Sequence, residues 1–423
     1  MVMIRPFHGV RYNPALVGDF SRVVSPPYDV ISPEQQTLLH MRSPYNAVHL
    51  DFNQDNERYT AAAERLRDWL TREVLIREHE PALYFYSQEF TLKDGRKRRR
   101  TGVLVALRLE EFSSGLIRPH ERTFEGAKKD RLELLRSCQT HLSPIFCLYA
   151  KKEWSLAQVA QTALAQPPLV SLTDDKDVTH QVWNVTDPTV IAAVTQGLEQ
   201  ESLIIADGHH RYETALRYRQ ERAAQEQSSG EEPYNFVMAY LTNAYDDGLV
   251  ILPTHRLLDD VTMPNLNNLR TVLQRDFRVG QFALDQRDAF LAALAAPGPG
   301  RRIGSMFAGA GYYWLLSFDE RVTRNHTHIS TELRALDVTV LHDVLLQQFL
   351  GLSPELQKQK LTYTIDADEA LQRVIDRKSQ ATFLLNPTTY DQVVQVCGRA
   401  ETMPQKSTYF YPKLLTGLVF YQL

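Results

Sequence analysis

An apolar run that stops at an aspartate and a glycine, and then turns helical, limits the fold of this chain more than any other feature. Residues 203–216 read LIIADGHHRYETAL. Leu203, Ile204 and Ile205 are the kind of run that fills a buried strand. Asp207-Gly208 breaks it. From His209 on the spacing is helical, with Tyr212, Ala215 and Leu216 on one inward face. A strand, a glycine turn and a helix in that order point to a mixed α/β layer. Asp207 then lies at the carboxyl end of the strand, where ligands bind in open α/β sheets. Gly208 allows a positive φ or a close backbone approach. The first helical turn exposes backbone N–H groups, and the helix dipole favours an anion there. Arg211 adds a planar donor fork suited to phosphate. The stretch reads as a phosphate-binding turn with a carboxylate beside it. His209 and His210 are adjacent and share no helix face, which makes them a poor metal pair.

The chain has 423 residues, enough for two or three domains. Its 47 basic and 51 acidic residues give a net charge of −4. That balance argues against a protein dedicated to coating nucleic acid. Cys138, Cys147 and Cys397 have no CxxC spacing, so they read as small buried hydrophobes rather than disulfide or zinc ligands. The opening residues MVMIRPFHGVRY lack the apolar core of a signal peptide, and no apolar run reaches membrane-spanning length. The expected compartment is the cytoplasm.

RVVSPPYDVISPEQQTLLH reads as a strand, a proline turn and a helix capped at Ser32. Residues 82–112 read as a hairpin turning at Asp94-Gly95. Residues 96–100, a basic run, are expected on a solvated edge strand. Further strands are expected in LSPIFCLYA, QVWNVT, YNFVMAYLTN and LVILPTHRLL. A boundary between residues 253 and 260 divides the chain into an expected catalytic region, 1–255, and an expected C-terminal α/β region, 256–423, that returns the segment of Lys406, Ser407 and Thr408 to the site.

Three further constellations carry chemical groups. In RPHERTFEGAKKDRLELL, His120 and Glu121 follow Pro119 on a loop, and Glu121 can serve as a general base oriented by His120. Lys128, Lys129 and Arg131 can meet phosphate oxygens. In MPQKSTYFYPK, Lys406, Ser407 and Thr408 resemble the end of a phosphate loop without its glycines. Lys413, in the same segment, is expected at the substrate. In SPPYDVIS the two prolines stiffen a turn that presents Tyr28 and Asp29, a substrate or metal contact. PTHRLL, with His255 and Arg256, is a weaker candidate.

Taken together, SPPYDVIS, RPHERTFEGAKKDR, IADGHHRYETA, LPTHRLL and MPQKSTYFYPKLLTGLV resemble domain-of-unknown-function family 1015 over nearly the whole chain. ADGHHR is also similar to the signature of the ParB/sulfiredoxin superfamily, whose members bind nucleotide phosphates at this turn. Within it, the free L-serine kinases combine a Pro-His-Glu loop, an Asp-Gly-His-His-Arg turn and a later Pro-x-Lys-Thr-Thr segment. The matching residues here are Pro119-His120-Glu121, residues 207–211 and Pro404-Gln405-Lys406-Ser407-Thr408.

The resemblance implies a ParB/sulfiredoxin-like core of mixed sheet and helices, with a second α/β region. It implies that Glu121 deprotonates a substrate hydroxyl and that Asp207 assists at the reacting centre or holds Mg²⁺. Gly208, His209, His210, Arg211, Lys406, Ser407 and Thr408 would bind phosphates. The long interval from Glu121 to Asp207, and Ser407 in place of a threonine, leave the donor open between ATP, ADP and pyrophosphate. The expected activity is phosphoryl transfer to a free hydroxy amino acid, foremost L-serine. The alternative is a nucleotide-binding, ParB-like regulatory or DNA-associated module without kinase activity. That alternative wants a helix-turn-helix and a basic face, and neither is evident in the sequence.

Overall fold

The computed structural model describes residues 1–123, 125–298, 300–326 and 328–423. Phe124 of the RPHERTFEGAKKDR segment and Pro299 of the APGPGRR turn lie outside the described residues. The chain forms two compact units, Met1–Val250 with Phe410–Leu423, and Ile251–Tyr409. The expected division keeps residues 256–423 together, whereas the last segment returns to the first unit. Strand pairing and burial draw it there. Phe420–Gln422 pairs with Gly9–Tyr12 on one side and Thr140–His141 on the other. Phe410 and Phe420 are buried. No helix among the described residues is long and apolar enough to cross a membrane.

The first unit is built on a mixed sheet. Its main strands, in chain order, are β1 (Leu83–Thr91), β2 (Lys97–Arg108), β3 (Ile117–Pro119), β4 (Ile145–Tyr149), β5 (Val170–Thr173), β6 (Thr179–Val185), β7 (Leu203–Asp207) and β8 (Phe236–Asn243). Across the sheet they run β3-β7-β4-β8-β2-β1-β6-β5. The pairs β3/β7 and β4/β8 are parallel and the others antiparallel. Both faces are buried, so the central strands read as continuous apolar runs rather than alternating ones. One face carries Val103, Val105, Cys147, Leu203, Ile205 and Val237, packed against Tyr212, Ala215 and Leu216 of a helix. The other carries an aromatic layer of Tyr86, Phe146 and Tyr240, joined by Phe410 from the returning segment.

Four helices of this unit matter below: α1 (Val48–Asp51), α2 (Arg58–Thr71), α3 (Glu125–Cys138) and α4 (His209–Ala223). Leu132 and Leu135 of α3 pack on Tyr218 of α4. The hairpin at Asp94-Gly95 joins β1 to β2, with Gly95 at φ +83°. Within the basic run β2 pairs with β1 alone, because β8 joins it only from Val103 on, and residues 96–99 are exposed or half-buried as expected; Arg100 is the exception. Arg100 is fully buried on the aromatic face, over the Phe146 ring at 4.7 Å. The strand expected before Pro26 is only a bridge, Ser25 to Thr416, because a short helical turn, Phe20–Arg22, takes up the residues before it. Ser32 does cap the following helix, accepting from the Gln35 N–H. All three cysteines are buried and free.

The second unit holds an antiparallel sheet of six strands among the described residues. Their order is Arg278–Ala283, Tyr312–Phe318, Arg301–Phe307, Ala381–Leu384, His255–Leu258 and Leu361–Thr364. Phe290 and Leu294 from one helix, and Leu371 and Val374 from another, close its core over Leu257, Met306, Tyr313 and Leu384.

Candidate functional site

A β-bulge aims Asp207. Along β7, Ile205 lies opposite Cys147 and Asp207 opposite Phe146, so two residues advance on β7 for one on β4. Cross-strand partners share a face, and a bulge turns the following side chain over. Asp207 therefore leaves the face of Ile205 and joins that of Phe146, where the returning C-terminal segment lies. Gly208 follows at φ +87° and ψ +27°, a left-handed conformation that glycine adopts without strain. A Cβ there would meet the Arg211 guanidinium at 3.0–3.1 Å. The Asp207 carboxylate accepts from the Gly208 N–H at 3.0 Å, and no side chain caps α4. The start of the helix is left as an anion-attracting end.

Lys413 reaches Asp207 from the returning segment, with Nζ 3.1 Å from Oδ2. Burial opposes ionisation of Asp207. Lys413 and then Arg211 outweigh it, and the carboxyl is held well below the usual range. Asp207 is therefore an anion and not a poised base. Arg211 donates to the Pro144 carbonyl and, among the described residues, makes no ion pair. Its fork lies over Gly208 with donors in hand.

The segment before Lys413 is held from β1 and β2. Arg100 donates to the Gln88 side-chain oxygen and to the carbonyls of Tyr411 and Pro412. Gln88 Nε2 donates to the Lys413 carbonyl at 2.9 Å. Residues 96–100 were read as solvent-facing, so this positioning role of Arg100 was missed. No local signal singled it out, because the apolar run that follows, Val103 to Leu107, is continuous and sets no alternation to read Arg100 against.

The Pro-His-Glu loop docks on the same strand end. His120 Nδ1 lies 2.6 Å from the Ile205 carbonyl, and the His120 backbone N–H donates to His209 Nε2 at 3.3 Å. A carbonyl only accepts, so Nδ1 carries the proton and Nε2 the lone pair. Burial drives His120 down to about 4. Burial, followed by the neighbouring His120, drives His209 well below its ordinary value. Both rings are neutral at pH 7, packed edge-on with centroids 4.6 Å apart. Glu121 Oε2 stands 3.9 Å from His120 Nε2, and its side chain is 20% exposed. The loop is tied to α4 through Glu213, which accepts from Thr123 at 2.9 Å and from Lys128 at 3.0 Å. His210 is half-buried on the first turn of α4, and Lys129 is exposed.

The remaining residues expected at the site stand as follows. Arg131 is buried and engaged: it donates to Asp51 Oδ1 at 2.8 Å, to the Asp51 carbonyl at 3.1 Å, and twice to Asp130. Tyr28 lies over the Arg131 guanidinium at 4.0 Å, and burial pushes its hydroxyl up to about 12. Asp29 is exposed. Lys406, Ser407 and Thr408 belong to the second unit. There Lys406 is exposed at φ +56°, and Ser407 donates to the Pro404 carbonyl. Arg256, the weaker candidate, donates to the carbonyls of Gln405 and Lys406, so it supports that turn.

Among the described residues, no three His, Cys, Asp or Glu side chains cluster so as to hold a metal ion. Asp207 offers a single carboxylate, with both oxygens engaged. A cavity of about 40 Å³ opens beside Arg211, between α3 and α4. A larger cleft of about 510 Å³, lined by Pro6, Pro81, Pro188 and Ile191, holds none of the expected residues.

Among solved structures, the chain is similar to a free serine kinase in complex with AMP, at 12% identity over 73% of this chain and 86% of that one, with a TM-score of 0.36. It is similar to a conserved hypothetical protein from Pyrococcus furiosus, at 11% identity over 74% of this chain and 92% of that one, with a TM-score of 0.34. It is also similar to SbnI with C-terminal truncation from Staphylococcus aureus, at 9% identity over 71% and 82%, with a TM-score of 0.34. No curated protein matches it. The model of one family, described as a protein of unknown function (DUF1015), matches residues 4–339. With most of its length matched by that model, the chain belongs to the DUF1015 family.

Proposed function

We propose that the protein is a small-molecule kinase that transfers a phosphoryl group to the hydroxyl of a free hydroxy amino acid, foremost L-serine. The donor is ATP, ADP or pyrophosphate. The observation that carries this reading is the meeting of two motifs at one strand end. The Pro-His-Glu loop is hydrogen-bonded to Ile205 and His209, beside a helix start whose Arg211 has spare donors. Phosphoryl transfer asks little more of a protein than a base, an in-line hydroxyl and cations on the transferring group.

Glu121 takes the proton of the acceptor hydroxyl. That oxygen bonds to the terminal phosphorus as the bond from phosphorus to the bridging oxygen breaks. Arg211 and the first-turn N–H groups of α4 hold the phosphate oxygens. Lys413 keeps Asp207 ionised, and its ammonium lies next to the charge that develops. Magnesium, where one is used, would meet a single protein carboxylate, Asp207, and supply charge neutralisation on the donor phosphates that themselves provide most of its ligands. The ParB/sulfiredoxin-like description of the core belongs to this same reading.

The test is a phosphorus NMR screen with Mg²⁺, L-serine and each donor in turn. O-phosphoserine should form with one of them. Glu121→Gln should lower turnover by about 10²–10⁴-fold, the usual worth of a general base, and leave donor binding intact. Donor binding with no product from any acceptor would favour the regulatory module instead.

A further inference from the structure

The cavity beside Arg211 has a polar wall, and apart from Arg211 itself the mechanism above uses none of it. Asp51, at the end of α1, lines it together with Arg131, Ser143, Arg211 and Thr214. Asp51 is 4% exposed. Its Oδ1 accepts from Arg131, while its Oδ2 is buried and has no hydrogen-bond partner among the described residues. A buried carboxylate oxygen left unsatisfied is costly, so the cavity calls for a donor at that point.

The charges around it are specific. Asp51 and Asp130 are balanced by Arg131 and by Arg58, which lies 2.9 Å from Asp130. Arg211 then adds one positive charge to the wall. A simple anion would satisfy Arg211 and leave Asp51 Oδ2 orphaned. A simple amine would do the reverse and face Arg211. A zwitterion satisfies both. At about 40 Å³ the cavity holds roughly three water-sized groups, each needing about 10–15 Å³, which is the scale of an α-amino-acid head group.

The geometry points to this cavity as the seat of the acceptor's head group, with Asp51 Oδ2 taking the α-ammonium and Arg211, which keeps N–H donors beyond the one on the Pro144 carbonyl, bridging the α-carboxylate and the donor phosphate. The assignment rests on the kinase reading, because Arg211 also packs on Gly208, next to Asp207. It makes Asp51 a specificity residue: acceptors must carry a free amino group.

The experiment is calorimetric titration of the full chain without donor, so that transfer plays no part. The ligands are L-serine, 3-hydroxypropanoate, which lacks the ammonium, and ethanolamine, which lacks the carboxylate. L-serine should bind about tenfold or more tighter than either, the worth of one charge-assisted hydrogen bond. Asp51→Asn should abolish the preference for L-serine over 3-hydroxypropanoate. A thermal melt checks that the variant folds, and if it does not, the wild-type ligand series decides alone. Equal affinity for L-serine and 3-hydroxypropanoate, no binding of L-serine, or a preference that survives in folded Asp51→Asn would each overturn the assignment and leave the cavity to water. Serine phosphorylation without ammonium preference would sink the subsite and keep the kinase. Ammonium preference without phosphorylation under any donor would do the opposite.

Discussion

Replacing Lys413 by methionine removes one charge and keeps most of the aliphatic stem. In the native site burial works against the Asp207 anion, and Lys413 at 3.1 Å is the first of the groups that overcome it. Removing one partner of a buried pair strands the other charge, at a cost of about 3–5 kcal/mol in a dry interior. The Asp207 and Lys413 side chains are 19% and 15% exposed, and Arg211 remains, so the lower end applies, about 3 kcal/mol at pH 7.

The pH dependence gives a second handle. The native carboxyl is held below its unfolded value, so its contribution is present above about pH 4 and is lost as pH falls further. In Lys413→Met, burial is opposed mainly by Arg211 and the carboxyl rises above its unfolded value. The variant then loses stability as pH rises through that raised value. The gap between the two proteins should be widest near neutrality and should close in acid. Urea denaturation from pH 4 to 8, in a Trp314→Phe background so that Trp69, Trp154 and Trp183 of the first unit report, measures it. Adding Asp207→Asn should recover part of the loss. A Lys413→Met protein as stable as wild type at pH 7, or a gap that widens in acid, would refute the pairing.

Arg211→Lys should weaken donor binding by about 1.5–3 kcal/mol, since it keeps the charge but loses the fork. It should leave the apo melting temperature unchanged, because Arg211 forms no ion pair among the described residues; titration and a melt read the two effects. Arg100→Met should destabilise the first unit by about 2–4 kcal/mol, leaving Gln88 and two carbonyls without their donor. Arg100→Lys should recover less than half of that, since one ammonium cannot span the three acceptors, and urea midpoints decide it. His120 and His141 are each lowered by burial to about 4. Their contribution is present above pH 6.5 and lost as pH falls toward 4, at about 3 kcal/mol each. Denaturation of His120→Asn should show a shallower acid loss than wild type.

The strands and helices around the site were legible because their patterns are local. The apolar run to Asp207, the helical face of Tyr212, Ala215 and Leu216, and the Asp94-Gly95 turn all follow from spacing and turn chemistry within a few residues. The return of Phe410–Leu423 to the first unit was not legible, because strand pairing between Gly9 and Tyr421 has no local mark in either segment. For the same reason Lys413 could be named as a site residue but not given Asp207 as its partner. Arg100 was misplaced because a basic residue in a hairpin reads as exposed unless the carbonyls that bury it are known. Asp51 left no signal, since VHLDF is an unremarkable helix end whose meaning comes from Arg131, eighty residues on.

Residue type also says little about which groups of the turn carry charge. By composition, DGHHR offers an acid and as many as three cations. Burial removes His209 from that count and keeps its partner His120 neutral, with His120 Nδ1 on the Ile205 carbonyl and His209 Nε2 accepting from the His120 backbone N–H. Asp207 and Lys413 cancel. What remains to meet a phosphate is Arg211, the helix start and whatever His210 adds. In the proposed reading such a site would hold its anion by geometry more than by net charge, through the Arg211 fork and the first-turn N–H groups, while the neutral rings frame them. In the proposed kinase reading Glu121, whose Oε2 stands 3.9 Å from His120 Nε2, is the base beside the turn, and the neutral His120 ring helps to place it.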